Sequence, residues 1–474
     1  MKCKTQWIVL LVFLLLCPSL FMNCSKKKVI ERKQIVLISL DTLRADHLTA
    51  YGYSRDTSPN LSELIKDSLY YTDAYPNGCW TMPSHMSLLT GTLPSRHGIS
   101  KYWKSMQNNK YPKLNASVLS ITEILKAQQV KTLKFARLPD ELGFGRGFDT
   151  NNGIDPFANE KKFEKLLKTI DKNKGKDFFL FIHTWMIHAP YGKNYFLEKG
   201  KLDDEKRNFL DNFRKIATSQ KKNLSAAFSD FLKDNLLFNV NDCVALYDSG
   251  IRYVDSYIGK LVSHFKQMGI YDDLLIIVLS DHGEHFAEHD PGKFYDYHGK
   301  DHYEEFLKVP LIIKYPHGYK RGRMNQAVSL IDIVPTILDF YDMEMPSFVQ
   351  GESLLKPYPT RKRKYIVSEA VSIGDIEKKM IRVGDLKYIV TMENSLNSQR
   401  SNWDSVFERR LFDLKNDPLE KNNLYNDLKF RRICIDFEKM LANIIKNSSK
   451  TNQTSEETEI EQKTLDHMKS LGYL

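Results

Sequence analysis

Cysteine is scarce, with six in 474 residues: Cys3, Cys17, Cys24, Cys79, Cys243 and Cys434. Spaced this widely they make no disulfide framework, and buried free thiols with at most one bridge are expected. Internal repeats are missing. Zinc-finger, RNP and arginine-rich signatures are missing too, which makes nucleic acid a poor partner despite a net charge of +10. Lysines are scattered, so that charge reads either as a Lys-rich surface or as attraction to anionic substrates or membranes.

What is present describes a soluble globular chain, 42% apolar and 27% charged. Its length exceeds one ordinary core and predicts a large domain with a smaller one. The start is basic (Met1-Lys2-Cys3-Lys4), Trp7 to Phe21 is almost wholly apolar, and Lys26, Lys27 and Lys28 follow. This predicts a secretory signal too short for a comfortable span. Leu20-Phe21-Met22-Asn23-Cys24 looks like a bacterial lipoprotein cleavage box with Cys24 lipidated. Asn23 departs from the usual small residue, so plain cleavage and retention as an anchor stay open. The expected location is the cell envelope, on a membrane anchor.

Four apolar runs predict buried strands: Ile35 to Leu40, Phe178 to His183, Leu274 to Leu279 and Val309 to Ile313. Helices are expected from Ser58 to about Leu69, from Ser117 to Gln128, from Val244 to Phe265 and from Ile331 to Phe340, with a further strand from Val130 to Phe135. An amphipathic helical pattern runs from about Lys201 to Asn239. The alternation implies an α/β domain, a mostly parallel sheet sandwiched by helices, over residues 33–355. A small α+β domain follows over 356–446, then a polar, low-complexity linker and tail over 447–474.

Asp41, His188 and Asp281 all fall just after strand ends, where ligands bind in such sheets. Asp41, Asp281 and His282 could hold one divalent ion with the Thr81 oxygen. In Cys79-Trp80-Thr81-Met82-Pro83-Ser84-His85, Pro83 suits the first turn of a helix. Thr81 would stand at the N-terminus, where N–H groups and the dipole favour an alkoxide. A helix cap is the plainer reading of the same threonine.

These segments together resemble the sulfatase family of the alkaline-phosphatase superfamily. The resemblance rests on Leu40-Asp41-Thr42, Thr81-Met82-Pro83-Ser84-His85 with Leu88-Leu89-Thr90-Gly91, His188-Ala189-Pro190-Tyr191, Ser280-Asp281-His282-Gly283 and His298-Gly299-Lys300, and it runs to the C-terminus. It implies a metal-dependent hydrolase of sulfate or phosphate esters, with Ca2+ by resemblance and Zn2+ or Mn2+ as alternatives. Thr81 takes the place of the Cys or Ser that becomes formylglycine, and His85 takes the place of an Arg. The resemblance makes Thr81 the nucleophile, His188 the partner of the leaving oxygen, Lys300 and His85 the stabilisers of the equatorial oxygens, and His298 and His302 substrate contacts. The substrate would be an anionic ester of a glycan, lipid or small molecule. Two rivals are a phosphoethanolamine-type transferase acting on envelope glycans or lipids, and a non-catalytic binding lipoprotein on the same fold.

Overall fold

The computed structural model describes residues 32–100, 110–189, 191, 193, 195–196, 240–289, 299, 301–356, 360–371, 376–393, 403–449 and 457–459. Cys24, His298, Lys300 and the pattern predicted from Lys201 to Asn239 lie outside them.

The larger sheet is built from β1 (Gln34–Leu40), β2 (Leu69–Tyr75), β4 (Lys131–Phe135), β5 (Thr150–Asn152), β6 (Phe178–Thr184), β7 (Leu275–Leu279), β8 (Val309–Lys314), β9 (Gly322–Met324) and β10 (Val328–Ser329); the short β3 (Lys110–Pro112) lies elsewhere. Its order is β10-β2-β8-β7-β1-β6-β4-β5, with β9 also beside β2. β1 pairs in parallel with β6 on one side and β7 on the other. Every residue of these three strands is buried, as expected for strands covered on both faces. Each fully buried Ile, Leu or Phe contributes roughly 1.5–3 kcal/mol by leaving water, so this trio makes a rigid base for its own carboxyl ends.

β8 is an antiparallel member of this mostly parallel sheet, paired with both β2 and β7. Pro310 brings no N–H to that ladder, and the β2 partner register shifts opposite it, between Tyr71 and Ala74.

The principal helices are α1 (Pro59–Lys66), α2 (Thr81–Thr90), α3 (Ile121–Ala127), α4 (Glu160–Asp171), α5 (Val240–Gln267), α6 (Ile333–Phe340) and α7 (Arg431–Ser448). α1 stops before Leu69, which opens β2 instead. α3 begins at a capping box of Ser120 and Glu123. Asp255 of α5 caps α1, accepting from the Asn60 and Leu61 N–H groups at 3.0 and 2.8 Å.

A second sheet is antiparallel in the order β11 (Tyr365–Val371), β12 (Ile376–Val383), β13 (Leu386–Glu393), β14 (Val406–Asp413), with α7 over it. This is the smaller α+β part. Its strands carry long charged side chains that reach back to the large sheet. Lys387, fully buried, lies 2.9 Å from both Glu304 and Glu420. A cavity of about 570 Å³ at this junction is lined by charged residues such as Asp73, Arg382 and Lys415, and by none of Asp41, Thr81, Asp281 and His282. α7 ends at Ser448, and Glu457–Glu459, within the stretch read as linker and tail, pairs as β15 with β3. Among the described residues Cys79, Cys243 and Cys434 are buried free thiols, and no helix is long and apolar enough to cross a membrane.

Candidate active site

Three adjacent strands deliver the site. Asp41 follows β1, with its N–H bonded to the Thr184 carbonyl of β6 at 3.1 Å. Asp281 and His282 follow β7 one residue later, after Ser280. The ligand atoms of Asp41, Asp281 and His282 lie within 4.8 Å of one another, and all three side chains are fully buried. Buried carboxylates brought this close repel, so the arrangement needs a cation or a donor between them.

The surrounding backbone is held in place. Thr42 sits at φ 59°, an uncommon left-handed conformation for a non-glycine residue. Its N–H reaches Asp281 Oδ1 at 3.3 Å, and its carbonyl accepts from the Tyr247 hydroxyl of α5 at 2.8 Å. The same hydroxyl accepts from the Arg44 N–H at 2.8 Å. On the other loop, a Cβ on Gly283 would stand 1.9 Å from the Glu305 carbonyl oxygen, so only glycine permits that turn.

His282 is oriented by its own chain. Nδ1 lies 2.9 Å from the Gly283 carbonyl. A carbonyl only accepts, so Nδ1 carries the proton and Nε2 presents its lone pair to the carboxylates, 3.5 Å from Asp41 Oδ1 and 3.4 Å from Asp281 Oδ2. Burial raises the Asp281 pKa, but the nearby His282, His85 and His183 outweigh it and leave it below the usual carboxylate range.

Thr81 is the first residue of α2, and the N-cap is Trp80, which offers no side-chain cap. Capping is therefore not the arrangement here. Thr81 Oγ1 faces His282 Nε2 at 3.2 Å. α2 is buried along its whole length, its hydroxyls turned onto protein atoms, and it ends on Gly91 in the left-handed region. Cys79, two residues before Thr81, is 1% exposed, and its thiol is pushed up to about 12 by burial. It is no nucleophile at neutral pH.

His85 comes four residues after Thr81 and donates from Nδ1 to the Thr81 carbonyl at 2.9 Å. Its Nε2 lies 2.9 Å from Ser39 Oγ. Burial first, with His183 beside it, pushes His85 down to about 3. Through these contacts His85 braces the first turn of α2.

His188 is buried on the loop after β6, with Nδ1 on the Ala189 carbonyl. Rings connect it to the strand end: Trp185 lies 5.9 Å from His188 and 4.9 Å from His183. His302 is fully buried beside Asp301, which pairs with Lys378 of β12 and Arg410 of β14. That places His302 at the junction of the two sheets. His285 and His289 both contact Glu305, at 3.5 and 2.7 Å. Burial works against charge on His285, but Glu288 and Glu305 hold it up to about 9. With Glu288 and Glu305, His285 also forms a group whose ligand atoms lie within 4.8 Å of one another.

The residue that the sequence reading missed is His183. It ends β6, is fully buried, and lies with Nε2 3.3 Å from Asp41 Oδ2. Burial pushes it down to about 4. Its place in an apolar strand disguised it. Only its pairing position, opposite Ser39 of β1, could have revealed it.

Comparison with known proteins agrees with this architecture. The family model "Sulfatase" matches residues 33–343, and "N-sulphoglucosamine sulphohydrolase, C-terminal" matches residues 292–447. An N-acetylglucosamine-6-O-sulfatase of Bacteroides thetaiotaomicron is 27% identical, covering 91% of this chain and 90% of its own. An arylsulfatase of Clostridium perfringens is 24% identical over 84% and 92%. A structure solved with its substrate D-glucosamine-2-N,6-O-disulfate matches at TM-score 0.67 and 18% identity, covering 89% of this chain and 99% of that one. The phosphonate monoester hydrolase of Agrobacterium radiobacter matches at TM-score 0.63 and 17% identity, over 88% and 96%. The match over residues 33–343, with relatives that are sulfuric ester hydrolases along nearly their full length, makes this chain a member of the sulfatase family of hydrolases.

Proposed function

We propose that this hydrolase cleaves sulfate or phosphate esters by double displacement through an unmodified Thr81. The observation that carries the reading is the Thr81 hydroxyl, 3.2 Å from His282 Nε2 at the N-terminus of α2, beside Asp41 and Asp281. Their donors and geometry fit a divalent ion, and Asp41, Asp281 and His282 would hold it. When bound, such an ion supplies Lewis acidity that lowers the pKa of a hydroxyl and polarises the ester oxygen. The N-terminal N–H groups of α2 favour the Thr81 alkoxide. Thr81 Oγ1 attacks sulfur or phosphorus in line with the leaving group. His188, with Nδ1 fixed on Ala189, delivers a proton to the leaving oxygen. Lys300 stabilises charge on the equatorial oxygens. Water then displaces Thr81 and releases the acid.

The names of the relatives favour anionic esters of amino sugars as substrates. The nucleophile argues for phosphorus. A formylglycine hydrate expels sulfate from its own gem-diol, whereas a threonine ester must be hydrolysed at sulfur or phosphorus. Phosphodiesters or phosphonate esters are therefore expected to turn over faster than aryl sulfates at equal concentration. A panel of aryl sulfate, phosphate monoester, phosphodiester and phosphonate ester substrates, with and without chelator, tests this. Faster sulfate turnover that disappears in Thr81→Ala overturns the preference and leaves the nucleophile standing.

We also propose export and anchoring through lipid-modified Cys24, motivated by the apolar run before it. Two or three acyl chains anchor stably where one binds reversibly. N-terminal mass spectrometry should find Cys24 first and lipidated; an intact Met1 refutes this.

A further inference from the structure

We infer that His183 is a metal ligand, completing with Asp41, Asp281 and His282 a site of two carboxylates and two imidazoles that takes Zn2+ in preference to Ca2+. The inference rests on the metal dependence proposed above and adds a residue and an ion class to it.

The first support is chemical need. His183 is fully buried, and neither Nδ1 nor Nε2 has a hydrogen-bond partner. Buried imidazole nitrogens ordinarily find one, and an orphaned pair is unfavourable unless something else occupies the lone pair. The neighbouring histidines differ. His282 commits Nδ1 to Gly283, and His85 commits both nitrogens, to Thr81 and Ser39.

The second support is placement. His183 Nε2 lies 3.3 Å from Asp41 Oδ2, a separation that two ligands sharing one ion adopt when each bond is about 2.0–2.2 Å. Its ligand atom also lies within 4.8 Å of those of Asp281 and His85. Asp41 thus turns Oδ1 toward His282 and Oδ2 toward His183. His85 is the other imidazole in reach, but its Nδ1 proton points at the Thr81 carbonyl, so it offers no lone pair there.

The third support is the donor set. Ca2+ takes six to eight oxygen ligands, and the residue after Asp41 is Thr42, whose hydroxyl is turned back onto the Asp41 carbonyl at 2.7 Å. Two imidazoles with two carboxylates suit Zn2+ or a similar borderline ion.

The test uses the full chain stripped by chelator and titrated calorimetrically with Zn2+, Mn2+ and Ca2+ separately. Wild type should bind one Zn2+, more tightly than Ca2+ by at least about 100-fold, in line with the ligand preferences of such sites. His183→Ala should weaken Zn2+ by about 100-fold or more, since even residues that only orient a ligand are worth 10–100-fold. His183→Gln, which keeps a buried polar group and supplies an oxygen, should narrow the gap between Zn2+ and Ca2+. Far-UV circular dichroism of the stripped variants checks the fold, and the visible spectrum of Co2+-loaded protein should change in both. One ion bound with equal affinity by wild type and His183→Ala overturns the inference alone. Tighter Ca2+ than Zn2+ in wild type overturns its ion class. No ion bound by wild type overturns the metal reading as well.

Discussion

Replacing Thr81 by Ala is expected to lower kcat by roughly 10⁴- to 10⁶-fold, the loss seen when an enzyme is deprived of its nucleophile. The Thr81 hydroxyl faces His282 Nε2 from the start of α2, and the nearby Cys79 is sealed and protonated. Thr81→Ser keeps the oxygen at the same helix position and should retain activity within about two orders of magnitude, because the attacking atom is preserved. Single-turnover kinetics with an aryl phosphodiester separate the chemical step from product release. Intact mass of the peptide containing residue 81 should match plain threonine. Near wild-type turnover in Thr81→Ala, or an aldehyde mass at residue 81, would sink the double-displacement reading.

The second large effect is expected from Asp281→Ala. This carboxylate is shared: Oδ2 stands 3.3 Å from His85 Nδ1 and 3.4 Å from His282 Nε2, while Oδ1 accepts from the Thr42 N–H at 3.3 Å. Removing it takes away a proposed ligand and loosens the strained loop that presents Asp41. Bound metal should fall from about one ion per chain to near none, and kcat/KM by about 10³-fold or more, given the several kcal/mol that a Lewis acid contributes. Elemental analysis after gel filtration measures the first, and initial rates measure the second. Metal content equal to wild type would remove Asp281 from the site. Asp281→Asn is the useful companion, because it keeps the shape and the Thr42 contact while removing the charge.

How much of this was legible beforehand depended on whether burial is one-sided or shared. β1, β6 and β7 are covered on both faces, so each is a continuous apolar run that declares itself, and the polar residues just beyond two of them, Asp41 and Asp281, stand out. β12 and β14 were not, because IEKKMIRV and VFERRLFD carry charges that look solvent-facing. Lys378, Arg382 and Arg410 on them are paired with Asp301 and Asp73 from the large domain, contacts more than sixty residues away along the chain. β2 was hidden likewise by Thr72 and Asp73.

The sequence by itself marked the buried strands β1, β6, β7 and β8 and singled out Asp41, Thr81, Asp281 and His282, which the fold brings together. Tertiary structure alone decided what the histidines do. His85 came to rest between Thr81 and Ser39 because α2 is buried on every side, and His302 came to the junction of the two sheets. His183 joined the carboxylates because β6 pairs with β1 in a register that sets it opposite Ser39. An imidazole's role depends on which lone pair is left over and what faces it, and neither is written in the order of residues along a chain.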